Sequence, residues 1–420
     1  MAAAELIGAP ELVCRSLLAR GRSQEIRGIY RPAFDDYQAA LNAARQAGDQ
    51  RQEMRALREL GGHTPTSLGV PIQESTDRLW EGLAVAESLG DRAMEADLRG
   101  RLAIMHSGRL RFTAAIELGQ RAVGAGRAAH SDRALARGLD GLKTAYAYLG
   151  ETRLLTEVVD ELEPLLRRLG DMEWLAWTVF ESAFPCVAAA RWDEADSKIT
   201  EAADICRQAL GLNGMQCFVA HLGWVARLQG RMDAAVEYGR AAVDMTRPEA
   251  EPWFGPTAAG LLARSLVEIG ETAAAVELVD RAVGDASRGG AEAYLLRCLA
   301  PLAELTGSTE VLEQADALLT GISAPPGSAW LLGADAYVSV ARAWLANDEP
   351  DRARAVLVPL LAAARRLQWI PVIAEGELVD ATARMIIGDP RASAALAAVA
   401  ALAKAHHMPL VERAARDLLA

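Results

Sequence analysis

The stretch GRMDAAVEYGRAAV, residues 230–243, is answered 40 residues later by GETAAAVELVDRAV, residues 270–283. The two share the opening glycine, the run Ala234-Ala235-Val236-Glu237 against Ala274-Ala275-Val276-Glu277, and the pair Ala242-Val243 against Ala282-Val283. Kindred phrases open at Gly150, Ala190, Gly307, Asn347 and Gly388, so that successive starts lie 40, 40, 40, 37, 40 and 41 residues apart. A weaker form opens at Gly28, Gly69 and Gly108. Self-similarity at a fixed step of this size marks a repeat architecture, one supersecondary unit stacked many times.

The unit reads as a helical hairpin. Each start follows an apolar run, such as FVAHLGWVARLQ before Gly230, and glycine reaches the left-handed conformation that stops a helix without a Cβ penalty. After the turn, Ala235 and Ala242 stand two helical turns apart on one face, as do Ala195 and Ala202, and Ala275 and Ala282. Small residues there let the second helix lie close against the first. One hairpin cannot bury its apolar face alone and has to stack on its neighbours. The links carry stop and restart signals: Gly-Asp at Gly48, Gly90 and Gly170, RPEAEPWFGP around Pro252, and SAPPGS around Pro325. The largest irregularity, GGHTPTSLGVP at 61–71, falls inside the second hairpin. These signals predict an all-α protein, a right-handed α-solenoid of about nine or ten hairpins. Residues 1–420 then form one continuous superhelix, each hairpin touches only its neighbours, and 408–420 makes a C-terminal capping helix.

Composition agrees and excludes several functions. Half of the 420 residues are apolar but only 5% are aromatic, and alanine and leucine favour helix over strand. The net charge of -12 comes without a basic block, which argues against nucleic acid. The sequence has no apolar run of transmembrane length, and its first residues lack the basic start and apolar core of a signal peptide. A cytoplasmic protein without membrane contact is expected. Cys14, Cys186, Cys206, Cys217 and Cys298 are scattered and read as small buried hydrophobes in a reducing compartment.

Glycine at the turn between paired helices, with alanines five and twelve residues after it, resembles the tetratricopeptide repeat, in units longer than its usual length. The wording of residues 33–49 is similar to the helical arrays at the C-termini of LuxR-type regulators of the maltose-activator kind and of actinobacterial ATPase and cyclase regulators. The resemblance spans essentially the whole chain. It implies a regulatory binding module. The P-loop, cyclase and DNA-binding segments of those regulators have no counterpart here.

The sequence offers no nucleophile elbow, no His-Glu-x-x-His and no shared His/Cys spacing. The expectation is a non-catalytic protein with no cofactor and no metal. If an acid and base met in the groove, Asp140 and His221 would be the pair. In tetratricopeptide arrays first helices build the concave wall, so positions 13, 10, 6 and 3 residues before each turn are expected to form that wall. This gives Arg137, Asp140, Thr144 and Ala147 before Gly150, and Trp177, Phe180, Phe184 and Val187 before Ala190. It gives Cys217, Ala220, Trp224 and Arg227 before Gly230, and Thr257, Gly260, Arg264 and Val267 before Gly270. The candidate ligand-binding residues are therefore Arg137, Asp140, Trp177, Phe180, Phe184, Trp224, Arg227 and Arg264. Aromatic platforms and guanidinium donors suit a peptide or protein partner, or a small molecule closed in by the loops 61–71 and 248–256. A shift of one residue would instead send Trp177, Phe180 and Trp224 into the hairpin cores, and Trp174 and Trp253 also read as core. The arginines are expected to stay accessible, because unpaired arginine is seldom buried.

Overall fold

A computed structural model describes residues 10–209, 214–245 and 254–420. Trp253 and most of the loop expected around Pro252 lie outside the described residues. Helices follow one another in antiparallel pairs, from Pro10–Ile26 with Tyr30–Ala47 to Ile370–Ile386 with Ala392–Ala405. The described residues make ten such hairpins, and Pro409–Asp417 follows the last. The first helices that matter below are Arg92–Gly108, Asp132–Leu149, Met172–Glu181 continued by Phe184–Ala188, Met215–Leu228, Phe254–Glu268 and Glu292–Thr306.

The turns are built as the repeat requires. At Gly230 the backbone has φ +72°, and the amide of Arg231 donates to Ala226 O at 2.9 Å, the six-to-one bond of a Schellman cap. The alanines that follow, Ala235 and Ala242, are wholly buried. Three turns within hairpins use the same cap without glycine. Ala190 has φ +54° and Asp348 φ +62°, and Leu110 takes φ +57° where the sequence placed the turn at Gly108, which is helical. Position in the repeat, not residue type, fixes the cap there.

The expectation that each hairpin touches only its neighbours fails. Trp369 Nε1 donates to Gly150 O at 2.8 Å, and Trp192 Nε1 to His406 O at 2.9 Å. Arg366 pairs with Glu151 at 2.6 Å and Arg109 with Glu292 at 3.4 Å. Ser323 N donates to Leu110 O at 3.0 Å, and Thr113 N to Ser323 O at 3.2 Å. Partners in the first four contacts are 183 to 219 residues apart, between four and six repeats. The superhelix is thus wound until successive turns of it lean on one another, and one apolar core runs from Leu110 to Ala415. Close crossing of first helices tightens the winding: a Cβ on Gly141 would lie 2.4 Å from Gly100 O, and one on Gly260 2.3 Å from Arg297 O. A methyl group at either site would push those helices apart.

Candidate functional site

Winding of this kind turns the concave groove into a cavity of about 160 Å³, walled by seven hairpins. Helical periodicity selects the side chains. Asp140, Lys143, Thr144 and Tyr148 form one stripe of the fourth hairpin, and Trp174, Trp177, Phe180, Glu181 and Phe184 one stripe of the fifth. Cys217 and His221 enter from the sixth, Phe254 and Thr257 from the seventh, and Tyr294 and Arg297 from the eighth. Gly62 and Thr66, from the irregular segment of the second hairpin, complete the wall with Arg101 and Met105.

The aromatic rings form a connected box. Trp177 stands edge-on to Phe180 and Phe218 with centroids 5.8 Å and 4.9 Å away, and meets Phe254 at 5.1 Å. Phe180 meets Phe184 at 5.1 Å and the His221 ring at 5.0 Å. Edge-to-face contacts of this kind fix rings without filling the space between them.

Asp140, Lys143, Glu181 and His221 of the wall are buried ionisable groups. Lys143, 1% exposed, places Nζ 2.8 Å from Asp140 Oδ1 and 3.1 Å from Glu181 Oε2. Burial works against the ammonium, but Asp140 and Glu181 outweigh it and hold its pKa above the ordinary lysine value. Burial also pushes Glu181 up to about 7, Lys143 pulling the other way and Asp140 adding to the rise. His221 is pushed down to about 3 by burial and by the Arg297 charge, so it is neutral, with Nδ1–H donating to Cys217 O at 2.7 Å. Arg297 donates Nη2 to Leu332 O at 2.8 Å and lies 5.3 Å over the Trp330 ring.

Of the residues expected on the wall, Asp140, Trp177, Phe180 and Phe184 meet in this cavity, together with Thr144, Cys217 and Thr257. The other four lie elsewhere. Arg137 is turned aside, paired with Asp171 at 2.8 Å and stacked 4.4 Å from the Trp174 ring. Trp224, 8% exposed, sits in the core, edge-on to the His221 ring at 5.8 Å. Arg227 and Arg264 are not accessible arginines. Arg227 pairs with Glu375 at 3.0 Å, and Arg264 donates to Ser339 Oγ at 3.2 Å and stands 3.7 Å from Asp335. Their buried charge is answered by acids that only the winding brings near. Sequence reasoning missed Lys143, Tyr148, Glu181, Tyr294 and Arg297. A signal existed for two of them: counting 13 and 10 back from Gly307 lands on Tyr294 and Arg297.

No family model matches the chain, and no curated protein matches it. Solved structures do. The Rap protein complexed with Competence and Sporulation Factor is 14% identical, aligns over 85% of this chain and 98% of its own, and has a TM-score of 0.62. The Rap conjugation gene regulator of the plasmid pLS20, solved with its Phr peptide, is 13% identical over 86% of this chain and 96% of its own, TM-score 0.50. The apo quorum sensor NprR from B. thuringiensis is 13% identical over 86% and 99%, TM-score 0.50. At such identity the likeness is one of fold: the chain is a tetratricopeptide-like α-solenoid.

Proposed function

We propose that the protein is a non-catalytic binding module of the cytoplasm that takes part of a peptide into the cavity of its concave face and reports its presence to a regulatory partner. The observation that carries this is the aromatic box of Trp177, Phe180, Phe184 and Phe254 around a small set of fixed polar groups. Concave, mostly apolar space with few oriented polar atoms is what ligand recognition uses. Two of the similar solved structures are complexes, one with Competence and Sporulation Factor and one with the Phr* peptide. The candidate acid and base are poorly placed for chemistry. Asp140 is tied to Lys143, and His221 is held neutral with its Nδ1–H engaged.

Closure by Gly62 and Thr66 and the modest volume favour a second reading, in which a small molecule fills the cavity and the array is its sensor. Both readings place the ligand against the same rings. Peptides selected on the protein by display should lose affinity by about tenfold or more in Trp177→Ala, the scale of an interface anchor, and none in Trp80→Ala, on the outer helix Ile72–Leu89. Selected peptides that bind Trp177→Ala as tightly as wild type would place the site elsewhere. Binding of small aromatic molecules in their place would favour the sensor.

A further inference from the structure

The cluster of Asp140, Glu181 and Lys143 does not balance its own charge. Asp140, Glu181 and Lys143 are each less than a tenth exposed, and two carboxylates share one ammonium. Asp140 Oδ1 and Glu181 Oε2 both lie within ion-pair distance of Nζ and have no other hydrogen-bond partner. The ammonium also lies 3.5 Å from Thr178 Oγ1. The other charged side chains of the wall are engaged elsewhere. Arg101 is bound to Asp97 at 2.8 Å, Arg297 keeps its charge on the neutral Leu332 O and acts on His221, and Glu173 is at the exposed rim. His221 adds no charge. A buried cluster with one surplus negative charge is costly unless a proton or a cation answers it. The rings of Trp177, Phe180 and Phe184, on the same helical stripe as Glu181, present the electron-rich surface that attracts a cation.

We propose that the cavity recognises an ammonium group carried on an apolar or aromatic body, the ammonium meeting Asp140 and Glu181 and the body lying in the aromatic box. This rests on the binding reading above and names the chemistry of the bound element. In a peptide the group is a lysine side chain or a free N-terminus.

The test uses the whole protein at pH 7.5, titrated calorimetrically with phenethylamine, 2-phenylethanol and phenylacetate, which share ring and chain and differ in charge. Phenethylamine should bind about tenfold tighter than either of the others. Glu181→Gln, which keeps the shape and removes the charge, should erase that preference while keeping the fold. Two competitor peptides, one N-acetylated with a central lysine and one with a free N-terminus and no lysine, distinguish the two sources, and displacement by either supports the proposal. Equal or tighter binding of 2-phenylethanol or phenylacetate overturns it and leaves the binding reading standing. Absence of binding by all three also overturns it, and the display selection then decides the binding reading on its own. A preference for phenethylamine that persists in Glu181→Gln overturns the assignment of Glu181.

Discussion

The hydroxyls of Tyr148 and Tyr294 meet at 2.7 Å although 146 residues separate them. Tyr294 is buried and Tyr148 partly so, and desolvation pushes Tyr148 up to about 12 and Tyr294 well above the ordinary tyrosine value, so both carry their protons. Tyr148 ends the cavity stripe of the fourth hairpin and Tyr294 begins that of the eighth. Their contact is where the groove along the solenoid narrows into the cavity. Stacking alone would leave these two hairpins four repeats apart.

Winding should be measurable at two glycines of identical local role. Gly230 and Gly270 both cap first helices, with φ +72° and +84°. A Cβ on Gly230 would lie 2.4 Å from Pro409 Cγ, whereas one on Gly270 meets nothing within 4 Å. Gly270→Ala should cost about 1 kcal/mol for the left-handed backbone alone. Gly230→Ala should cost at least about 1 kcal/mol more through overpacking. The excess, read from urea denaturation, should shrink in a Pro409→Ala background.

Trp224 should behave as a core residue. Trp224→Ala is expected to cost about 3 to 5 kcal/mol of folding stability, because the surrounding core cannot close over the space. A thermal melt beside wild type checks this, and an unchanged melting temperature would return Trp224 to the groove.

The titration of Glu181 predicts a pH dependence with a definite sign. Its folded value of about 7 lies above the ordinary 4.5, so ionisation is harder in the folded state and stability falls as pH rises through this window. Glu181→Gln should therefore match wild type near pH 4.5 and exceed it by about 3 kcal/mol at pH 8. His221 works in the opposite sense. Held down to about 3 from 6.5, it costs stability as pH falls below 6.5. Measuring the variant against wild type at each pH cancels that contribution.

The second buried polar cluster should be intolerant of losing its acid. Burial raises Glu375, but Arg227 and Arg264 outweigh it and hold the carboxyl down to about 2. Glu375→Gln leaves two buried guanidiniums with Asp335 as their nearby acid and should cost about 3 to 5 kcal/mol. Wild type should lose the same contribution progressively as pH falls from about 4.5 toward 2.

The hairpins were legible because they are local. A glycine after an apolar run and two alanines seven apart describe a turn and a close-packed second helix using only neighbours in sequence. Even Ala190, without glycine, was placed by its step from Gly150 and proves left-handed. The cavity was half legible for the same reason. Asp140, Phe180 and Trp177 follow from helical period once the turn is known. Arg227 and Arg264 were misread because the rule that unpaired arginine stays exposed needs the partner to be known, and Glu375 is 148 residues from Arg227. No repeat spacing encodes that meeting. It depends on the pitch of the superhelix, which is set by crossings such as Gly100 on Gly141 that a single hairpin does not contain.

The enclosure of the cavity is tested most directly by a double-mutant cycle on Tyr148→Phe and Tyr294→Phe, with stability measured for wild type, both single variants and the pair. A hydroxyl contact made across the superhelix predicts a coupling of about 0.5 to 1.5 kcal/mol. Effects that add within about 0.3 kcal/mol would mean that the two rings do not meet in solution and that the groove is open.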